Sequence, residues 1–225
     1  MTLFASVLCC LAEARGGMLP ATIQDVSSQF TSINRGAVHS IDGSGLDTSN
    51  PPHHDTDPTH MWLNLGDGTF SGGVSDPDRP GQLAHITFNL GGPSTVDSFR
   101  VWNYNEVNAN NGQSFTNRGV QTLTISIATL AGGPFTPLVD PSSNTTTWTF
   151  VQAPGNNLYT GQAFTLTAPV AAAYVRFDIK TNYGDTNGLV GLSEVQFFTP
   201  VPEPATWSLL AIGLVGSVAL RRRIS

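Results

Sequence analysis

The strongest constraint on the fold of this chain is an alternation of apolar and polar residues that recurs through residues 84–198. Successive side chains of a strand point to opposite faces of a sheet, so a period of two indicates strands with one apolar face. Clusters of Gly, Pro, Asn and Ser separate the alternating segments and predict turns between them. The segments are centred on Phe88, Val101, Ile125, Phe177 and Val195. We therefore expect strands, rather than helices, throughout this region.

Two further segments, residues 146–151 and 162–167, fill the remaining intervals as strands. The total is then about seven or eight, as is typical of sandwiches. An apolar face on every strand can be buried only when two sheets pack face to face. The sequence thus predicts an all-β fold, an antiparallel β-sandwich, in a single domain long enough for a complete core.

Residues 42–82 break this pattern, because they are rich in Asp, Gly, Pro and His and poor in apolar residues. We expect a long irregular loop, and such loops in compact domains are usually functional or mobile. The loop also holds a dense group of metal-capable side chains that could bind zinc. Their spacing fits no established ligand pattern, and the neighbouring prolines favour an extended, exposed loop. The group is His53, His54, Asp55, Asp57 and His60.

The N-terminus has the features of an export signal. Residues 3–12 are an apolar run, and Ala12-Glu13-Ala14 fits a cleavage site with small residues, so we expect a signal peptide over residues 1–14. No basic residue precedes the run; a misassigned start codon that truncates the signal peptide would explain this. The alternative to a signal peptide is that residues 3–12 form a short core strand. The only two cysteines, Cys9 and Cys10, lie in this run, so the mature chain can form no disulfide.

The last 25 residues combine Pro202-Glu203-Pro204, an uncharged apolar stretch over residues 205–220, and Arg221-Arg222-Arg223. In lipid such a stretch satisfies its backbone only as a helix, and the arginines hold that end on the cytoplasmic side. Sixteen residues rise roughly 24 Å, less than the ~30 Å hydrocarbon core. We expect a marginal transmembrane helix with the rest of the chain outside; an ordinary tail anchor or a buried helix is the alternative.

This order of motif, apolar helix and basic residues over residues 201–225 resembles the PEP-CTERM sorting signal of Gram-negative bacteria that make exopolysaccharide. The resemblance covers residues 201–223 and implies processing by an integral-membrane exosortase at or near Pro202, Glu203 and Pro204. Together with a signal peptide for the Sec machinery, it implies export, a transient anchor in the inner membrane, and a final place at the cell surface or in the extracellular matrix. The resemblance predicts where the protein is sorted to, but it predicts no activity.

A second resemblance covers residues 22–198. The order and spacing of several motifs are similar to those of the galactose-binding-like, discoidin-type jelly roll, an antiparallel β-sandwich. The family implies binding of glycans or other surface ligands without chemistry. The motifs lie at residues 37–43, 62, 85–91, 96–105, 118–120, 173–177 and 192–197.

The second resemblance also implies a structural calcium ion between the Asp-Gly loop and the acidic residue of the last strand, where Asp42 and Glu194 stand. Calcium takes six to eight oxygen ligands, and a tight loop offers carbonyls and carboxylates together. Ser44 and Asp47 depart from the residues common in the family. The candidate ligands are the carbonyls of His39 and Ser193 and the side chains of Asp42, Ser44, Asp47 and Glu194.

Without calcium, the same residues have a structural explanation. Asp42 would cap its own turn, and Glu194 would pair with Arg35 or Arg176.

Glycan sites in the jelly-roll family lie in loops at one end of the sandwich and combine an aromatic ring with charged or amide side chains. Trp62 is the candidate ring, although a tryptophan at this place can instead plug the core. We expect Trp102 and Trp148 to be packed within strands. Arg118 has a structural alternative, an ion pair with Glu106. The candidate ligand-binding residues are His60, Trp62, Arg79, Asn105, Arg118 and Tyr183.

Charge and motif content narrow the function. Residues 21–200 hold 14 acidic and 6 basic side chains, a surface that repels polyanions and disfavours nucleic acid. The chain has no nucleophile-elbow, metalloprotease or phosphate-loop motif, so we expect a non-catalytic protein that binds exopolysaccharide. A purely structural envelope or biofilm component is the alternative. A carboxylate-based glycosidase comes third, since two carboxylates suffice for that chemistry.

Overall fold

The computed structural model describes residues 16–66 and 84–201. Outside them lie the expected signal peptide over residues 1–14, the candidate Arg79 and the whole tail, that is Pro202, Glu203, Pro204, the apolar stretch 205–220, and Arg221, Arg222 and Arg223. In the described part, no helix is long and apolar enough to cross a membrane. Met18–Thr199 forms one compact unit.

The compact unit Met18–Thr199 is built from strands joined by loops and short 3-10 helices. Every pairing between the strands is antiparallel, which confirms the predicted all-β architecture. The strands are β1 (Met18–Leu19), β2 (Thr22–Val26), β3 (Trp62–Leu63), β4 (Ala84–Asn103), β5 (Val120–Ala128), β6 (Thr136–Pro137), β7 (Trp148–Thr149), β8 (Gln162–Asn182) and β9 (Gly191–Phe198). The 3-10 helices are Thr31–Ile33, Ala37–Ser40, Pro58–His60 and Thr116–Arg118.

Strands β4 and β8 pair along most of their length and run from one sheet into the other. The first part of β4 pairs with β2 and with the end of β8, which in turn pairs with β5; these strands, with β6 and β7, form the first sheet. The second part of β4 pairs with the start of β8 and with β9; these strands, with β1 and β3, form the second sheet.

Strand β4 turns from one sheet into the other at Gly91-Gly92, where the sequence pattern predicts a turn between two separate strands. The β4–β8 register shifts between Asn89 and Ser94, where Gly91 and Gly92 have positive φ. Glycine adopts such φ values without steric cost, so the strand bends there and its pairing resumes. In contrast, the strand predicted over residues 146–151 is shorter than expected, because only Trp148–Thr149 form a strand.

The core lies between the two sheets and is rich in phenylalanine. Phe88 and Phe177 of the first sheet meet Phe99 and Phe197 of the second, with ring centroids 5.4 Å apart for Phe88–Phe197 and 6.4 Å for Phe99–Phe177. Phe164 stacks on Phe99 at 4.8 Å. Full burial of one such side chain stabilises the fold by about 1.5–3 kcal/mol.

In the described part of the predicted loop, residues 42–66, most of the chain is irregular, as predicted, but the expectation that it is extended and exposed is wrong for two parts of it. The His54 side chain is fully buried. Met61 and Leu63 are also buried and pack with Tyr104 in a second, smaller apolar cluster. The prediction failed because it used local polarity, whereas burial here is set by partners distant in sequence.

Candidate functional sites in the loops

Strand β9 places a buried carboxylate next to the Asp-Gly loop. The Glu194 residue is 2% exposed, and the Gly43 amide donates to Glu194 Oε2 at 3.2 Å. Burial raises the pKa of Glu194 to about 8, and the negative charge of Asp42 also raises it. The alternative pairing with Arg35 or Arg176 is wrong: these guanidiniums contact Glu106 and Asp178 instead.

Asp42 holds the loop that faces Glu194. The Ser44 amide donates to Asp42 Oδ1 at 2.8 Å, and His39 Nδ1 lies 2.9 Å from Oδ2, so Asp42 does cap its own turn. Partial burial raises the pKa of Asp42, but the hydrogen bonds from Ser44 and His39 outweigh it and leave the pKa below its ordinary value. The loop therefore offers an ionised carboxylate beside the buried one.

Two of the other residues predicted to bind calcium, Asp47 and Ser193, make hydrogen bonds to other groups through their side chains. Asp47 Oδ1 accepts hydrogen bonds from the amides of Ser49 and His53, at 3.0 and 2.8 Å, which caps a separate turn. The Ser193 hydroxyl donates to the Asn103 carbonyl at 2.9 Å. The loop and β9 thus offer two carboxylates, Asp42 and Glu194, and carboxylate oxygens are ligands that calcium prefers.

The histidine-rich group does not converge on one point. His53 pairs with Asp47 at 2.9 Å, His60 pairs with Asp55 at 2.8 Å, and buried His54 faces the Asp55 carbonyl at 3.0 Å. Within residues 16–66 and 84–201, no three His, Cys, Asp or Glu side chains are placed to hold a metal ion. The zinc alternative is therefore not supported.

Asn105 joins two loops at one end of the sandwich. Its side-chain nitrogen donates to the carbonyls of Asp55 and Asn156 at 2.9 and 2.8 Å, and its oxygen accepts from the Gly155 amide at 2.9 Å. The residue is fully buried. These contacts explain Asn105 as a structural residue. We call this region, residues 53–60, 104–118, 151–159 and 183–190, the loop end.

Arg118 belongs to a buried network of charges in the same place. Its Nη1 donates to Glu106 Oε2 at 3.0 Å, the ion pair given as its structural alternative, and its Nε donates to Asp185 at 3.3 Å. Arg35 binds Glu106 from another side with two hydrogen bonds. Burial raises the pKa of the Tyr104 phenol, which stays protonated and donates to Glu106 at 2.6 Å. Local sequence gave no signal for the role of Arg35.

The remaining ligand candidates are not brought together as one site. Trp62 is fully buried in the core and its indole donates to the Ser28 carbonyl at 3.0 Å, so the ring plugs the sandwich and cannot serve as a platform for a sugar. Tyr183 is half-buried, with its hydroxyl bound to the Phe150 carbonyl. His60 is the more open candidate, with a side chain 37% exposed. Trp102 and Trp148 are buried, as expected.

Residues 200–223 match the family model described as the PEP-CTERM protein-sorting motif, which confirms the resemblance of the tail. The match covers the tail, which is less than half of the chain. In a search of curated proteins, no sequence matches this chain.

The sandwich resembles solved structures of two related kinds. One is the family 32 carbohydrate-binding module of NanJ from C. perfringens, in complex with galactose (TM-score 0.51, 17% identity, 80% of this chain and 97% of that one). Another is an F5/8 type C domain from Bacteroides fragilis (0.52, 12%, 84% and 99%). A third is a family 32 module from a family 31 glycoside hydrolase of Clostridium perfringens (0.51, 14%, 80% and 92%). The predicted galactose-binding-like jelly roll is thus confirmed as the fold.

Proposed function

We propose that this chain is a non-catalytic glycan-binding protein, exported and sorted to the cell surface or extracellular matrix of a Gram-negative bacterium. The observation that carries the proposal is the combination of a sorting motif at residues 200–223 with a sandwich that aligns with 97% of a galactose-bound carbohydrate-binding module. Exosortase would process the tail near Glu203, and the Sec machinery would export the chain. The exopolysaccharide of the producing cell is the proposed ligand.

The loop end suits binding because its charged network fixes the loops. Arg35 and Arg118 neutralise Glu106 and Asp185, and each of the four side chains is at most 15% exposed. A rigid set of loops binds with little loss of conformational entropy. His60 and Tyr183 are the residues of this end, among those described, that we propose as sugar contacts; Arg79 stays a prediction.

The surroundings of Glu106 and Glu194 disfavour a glycosidase that uses these two glutamates. A glycosidase needs two carboxyl groups that reach the substrate. The two glutamates of the described residues are 4% and 2% exposed, with Glu106 bound by two arginines and Glu194 turned toward the Asp-Gly loop. We propose that both are structural.

We also propose a structural calcium ion between Asp42 and Glu194. A cation would compensate the buried charge of Glu194, whose side chain has no cationic partner within the described residues. The His39 and Ser193 carbonyls and the Ser44 side chain would complete the site, while Asp47 would stay in its own turn. Bound calcium would fix the loop at residues 42–45, which lies against Asp55 through the Asp55 amide and Gly45 carbonyl at 2.9 Å.

A second candidate function is a purely structural envelope component. It is favoured by the structural roles of Asn105, Arg118 and Trp62, three of the six predicted sugar contacts. A glycan array and a pull-down with purified exopolysaccharide, both in calcium, distinguish the two functions. Binding that falls at least tenfold in His60→Ala supports the glycan function, and uniformly flat binding by the wild-type chain would refute it.

Cell fractionation tests the sorting separately. Glu203→Ala should leave the chain unprocessed in the inner membrane, whereas Ser225→Ala, outside the motif, the apolar stretch and the arginines, serves as the control for expression. Wild-type processing and location of the Glu203 variant would contradict exosortase sorting.

A further inference from the structure

The outer face of the first sheet carries a polar cleft of about 450 Å³, distant in the fold from the loop end. Its floor contains Thr87 and Arg176, which are paired residues of β4 and β8. Gln24 and Asp25 of β2 line it at the sheet edge, and Phe135 lines it from the loop before β6. We call this feature the side cleft. Its volume lies in the range of small-ligand pockets, roughly 300–1,000 Å³.

A β-bulge builds the edge of the side cleft. Ile23 pairs with Phe88 and Asp25 pairs with Thr87, so Gln24 is an extra residue between two paired ones. A bulge turns side chains away from strict alternation and is common next to functional sites. Here it places an amide and a carboxylate side by side along the same cleft.

Arg176 provides hydrogen-bond donors in a fixed orientation. Its Nε donates to Asp178 Oδ1 at 2.8 Å, and its side chain is 25% exposed. Its two terminal nitrogens donate to none of the residues that the structure describes. The guanidinium carbon lies 5.8 Å from the centre of the Phe135 ring. One side of the guanidinium is thus held, and the other is available to a ligand.

Asp25 provides the complementary acceptor. His85, which is fully buried, holds Asp25 Oδ2 through its Nε2 at 3.0 Å. The Asp25 side chain is 43% exposed, and its Oδ1 accepts no hydrogen bond from residues in the described ranges. Asp25, Thr87 and Arg176 lie in one row across three neighbouring strands. At about 4.8 Å between strands, the row is roughly 10 Å long.

We propose that the side cleft is a second glycan site, which takes a neutral hexose unit of a polysaccharide. Sugar hydroxyls both donate and accept, so the carboxylate, hydroxyl and guanidinium of the row, with the Gln24 amide beside Asp25, suit them. The Phe135 ring offers an apolar surface for the C–H groups of the sugar. Because Asp25 and Asp178 outnumber Arg176, the local charge disfavours an acidic sugar. The ligand class rests on the proposed function, but the site is separate from the loop end.

Two separate sites on one domain would allow it to hold two polysaccharide segments at once. Attachment at two points raises overall avidity above that of either site. For a protein of a surface matrix, this would convert simple adhesion into cross-linking.

Saturation-transfer NMR of the full chain in detergent tests the side cleft, with glucose, galactose and mannose as neutral probes and glucuronate as the acidic one. The variants are Phe135→Ala and Asp25→Asn. Leu130→Ala is the matched control, since Leu130 lies in the loop of Phe135, is 66% exposed and does not line the cleft. Thermal melts verify that each variant is folded, and the isosteric Asp25→Asn change preserves the test if Phe135→Ala misfolds.

We expect at least one neutral hexose to bind the wild-type chain and the Leu130 variant equally, and to bind the other two variants at least fivefold more weakly. No binding of any neutral probe, binding unchanged in both cleft variants, or tighter binding of glucuronate would each overturn the proposal. Polysaccharide pull-down that stays intact while hexose binding is unchanged in both cleft variants would refute the side cleft alone and leave the proposed function standing. Hexose binding in the cleft without pull-down would refute the loop end alone.

Discussion

Both terminal nitrogens of Arg35 donate hydrogen bonds to the Glu106 carboxylate, at 3.0 and 2.8 Å, although the two residues are 71 positions apart in the chain. This bidentate pair connects the loop after β2 to the loop after β4. Arg118 completes the neutralisation of Glu106, so the contact is buried without an uncompensated charge. The geometry of the loop end depends on it.

The first prediction concerns this pair. Arg35→Met leaves the buried Glu106 carboxylate with one guanidinium, and removal of one partner from a buried pair costs about 3–5 kcal/mol. We expect a loss near the lower end, because Arg118 remains. Urea denaturation measures it. The double variant Arg35→Met/Glu106→Met should recover part of the loss; a single-variant loss under about 0.5 kcal/mol, typical of a surface change, would contradict the role assigned to Arg35.

The second prediction is a pH dependence of the calcium-free protein. The pKa of Glu194 is about 8 in the fold against an ordinary 4.5. A raised folded pKa stabilises the fold below about pH 4.5, and this contribution is lost as the pH rises toward 8. The size is on the order of a few kcal/mol, at about 1.4 kcal/mol per pKa unit. Glu194→Gln, melted in EDTA, should match the wild type at pH 5 and exceed it at pH 9.

A flat difference between Glu194→Gln and the wild type across that pH range would show that Glu194 ionises at its ordinary pKa in the fold, as a hydrated carboxylate does. Asp178→Asn, on a more exposed side chain, is the control for removal of a carboxylate.

The third prediction is that calcium stabilises the chain in a pH-dependent way. Calcium binds the ionised carboxylate, so its effect on the melting temperature should grow between pH 5 and pH 9. Binding to the folded state alone adds about 2.7 kcal/mol at a hundredfold excess over Kd. Asp42→Asn and Glu194→Gln should each remove most of the shift, while Asp47→Asn should leave it. Equal melting temperatures in calcium and EDTA would exclude the ion.

The fourth prediction separates backbone strain from crowding at Gly45. A Cβ at Gly45 would lie 2.6 Å from His54 Cε1 and 2.9 Å from Asp55 Oδ1, at a φ of +79°. Gly91 has nearly the same φ, +78°, with nothing within 4 Å of the added atom. Both Gly→Ala changes carry a strain of about 1–3 kcal/mol. Gly45→Ala should cost more, and chemical denaturation gives the excess; equal costs would mean that the His54 loop moves aside.

Much of the fold could be predicted from local pattern. Period-two alternation located the main strands, because each strand buries one face, and the buried state of Trp148 followed from its place in a strand. The continuity of β4 and β8 could not be predicted, since Gly91 and Gly92 read as a turn and act as a bend. Whether a glycine pair reverses or only bends a strand depends on what the backbone pairs with afterwards.

The candidate sites were less accessible to sequence reasoning. Asp42 and Glu194 were placed by resemblance, and in the structure the amide of Gly43, which follows Asp42, donates to Glu194. Asn105 and Arg118 have the residue types of sugar contacts, but their partners lie in distant loops and make them structural. The side cleft was missed because Asp25, Phe135 and Arg176 come from three parts of the chain, and each alone looks like an ordinary surface residue.

The two strands shared by both sheets have a consequence for how the domain opens. The two sheets cannot separate unless the pairing of β4 and β8 breaks. Local opening that exposes the core face of one sheet is therefore less favourable than unfolding of the whole domain. Amide hydrogens near Val96 and Ala172, at the corner, should therefore exchange with solvent deuterium as slowly as those of the sheet interiors. A protease in the surroundings of the cell would find few intermediate states to cleave.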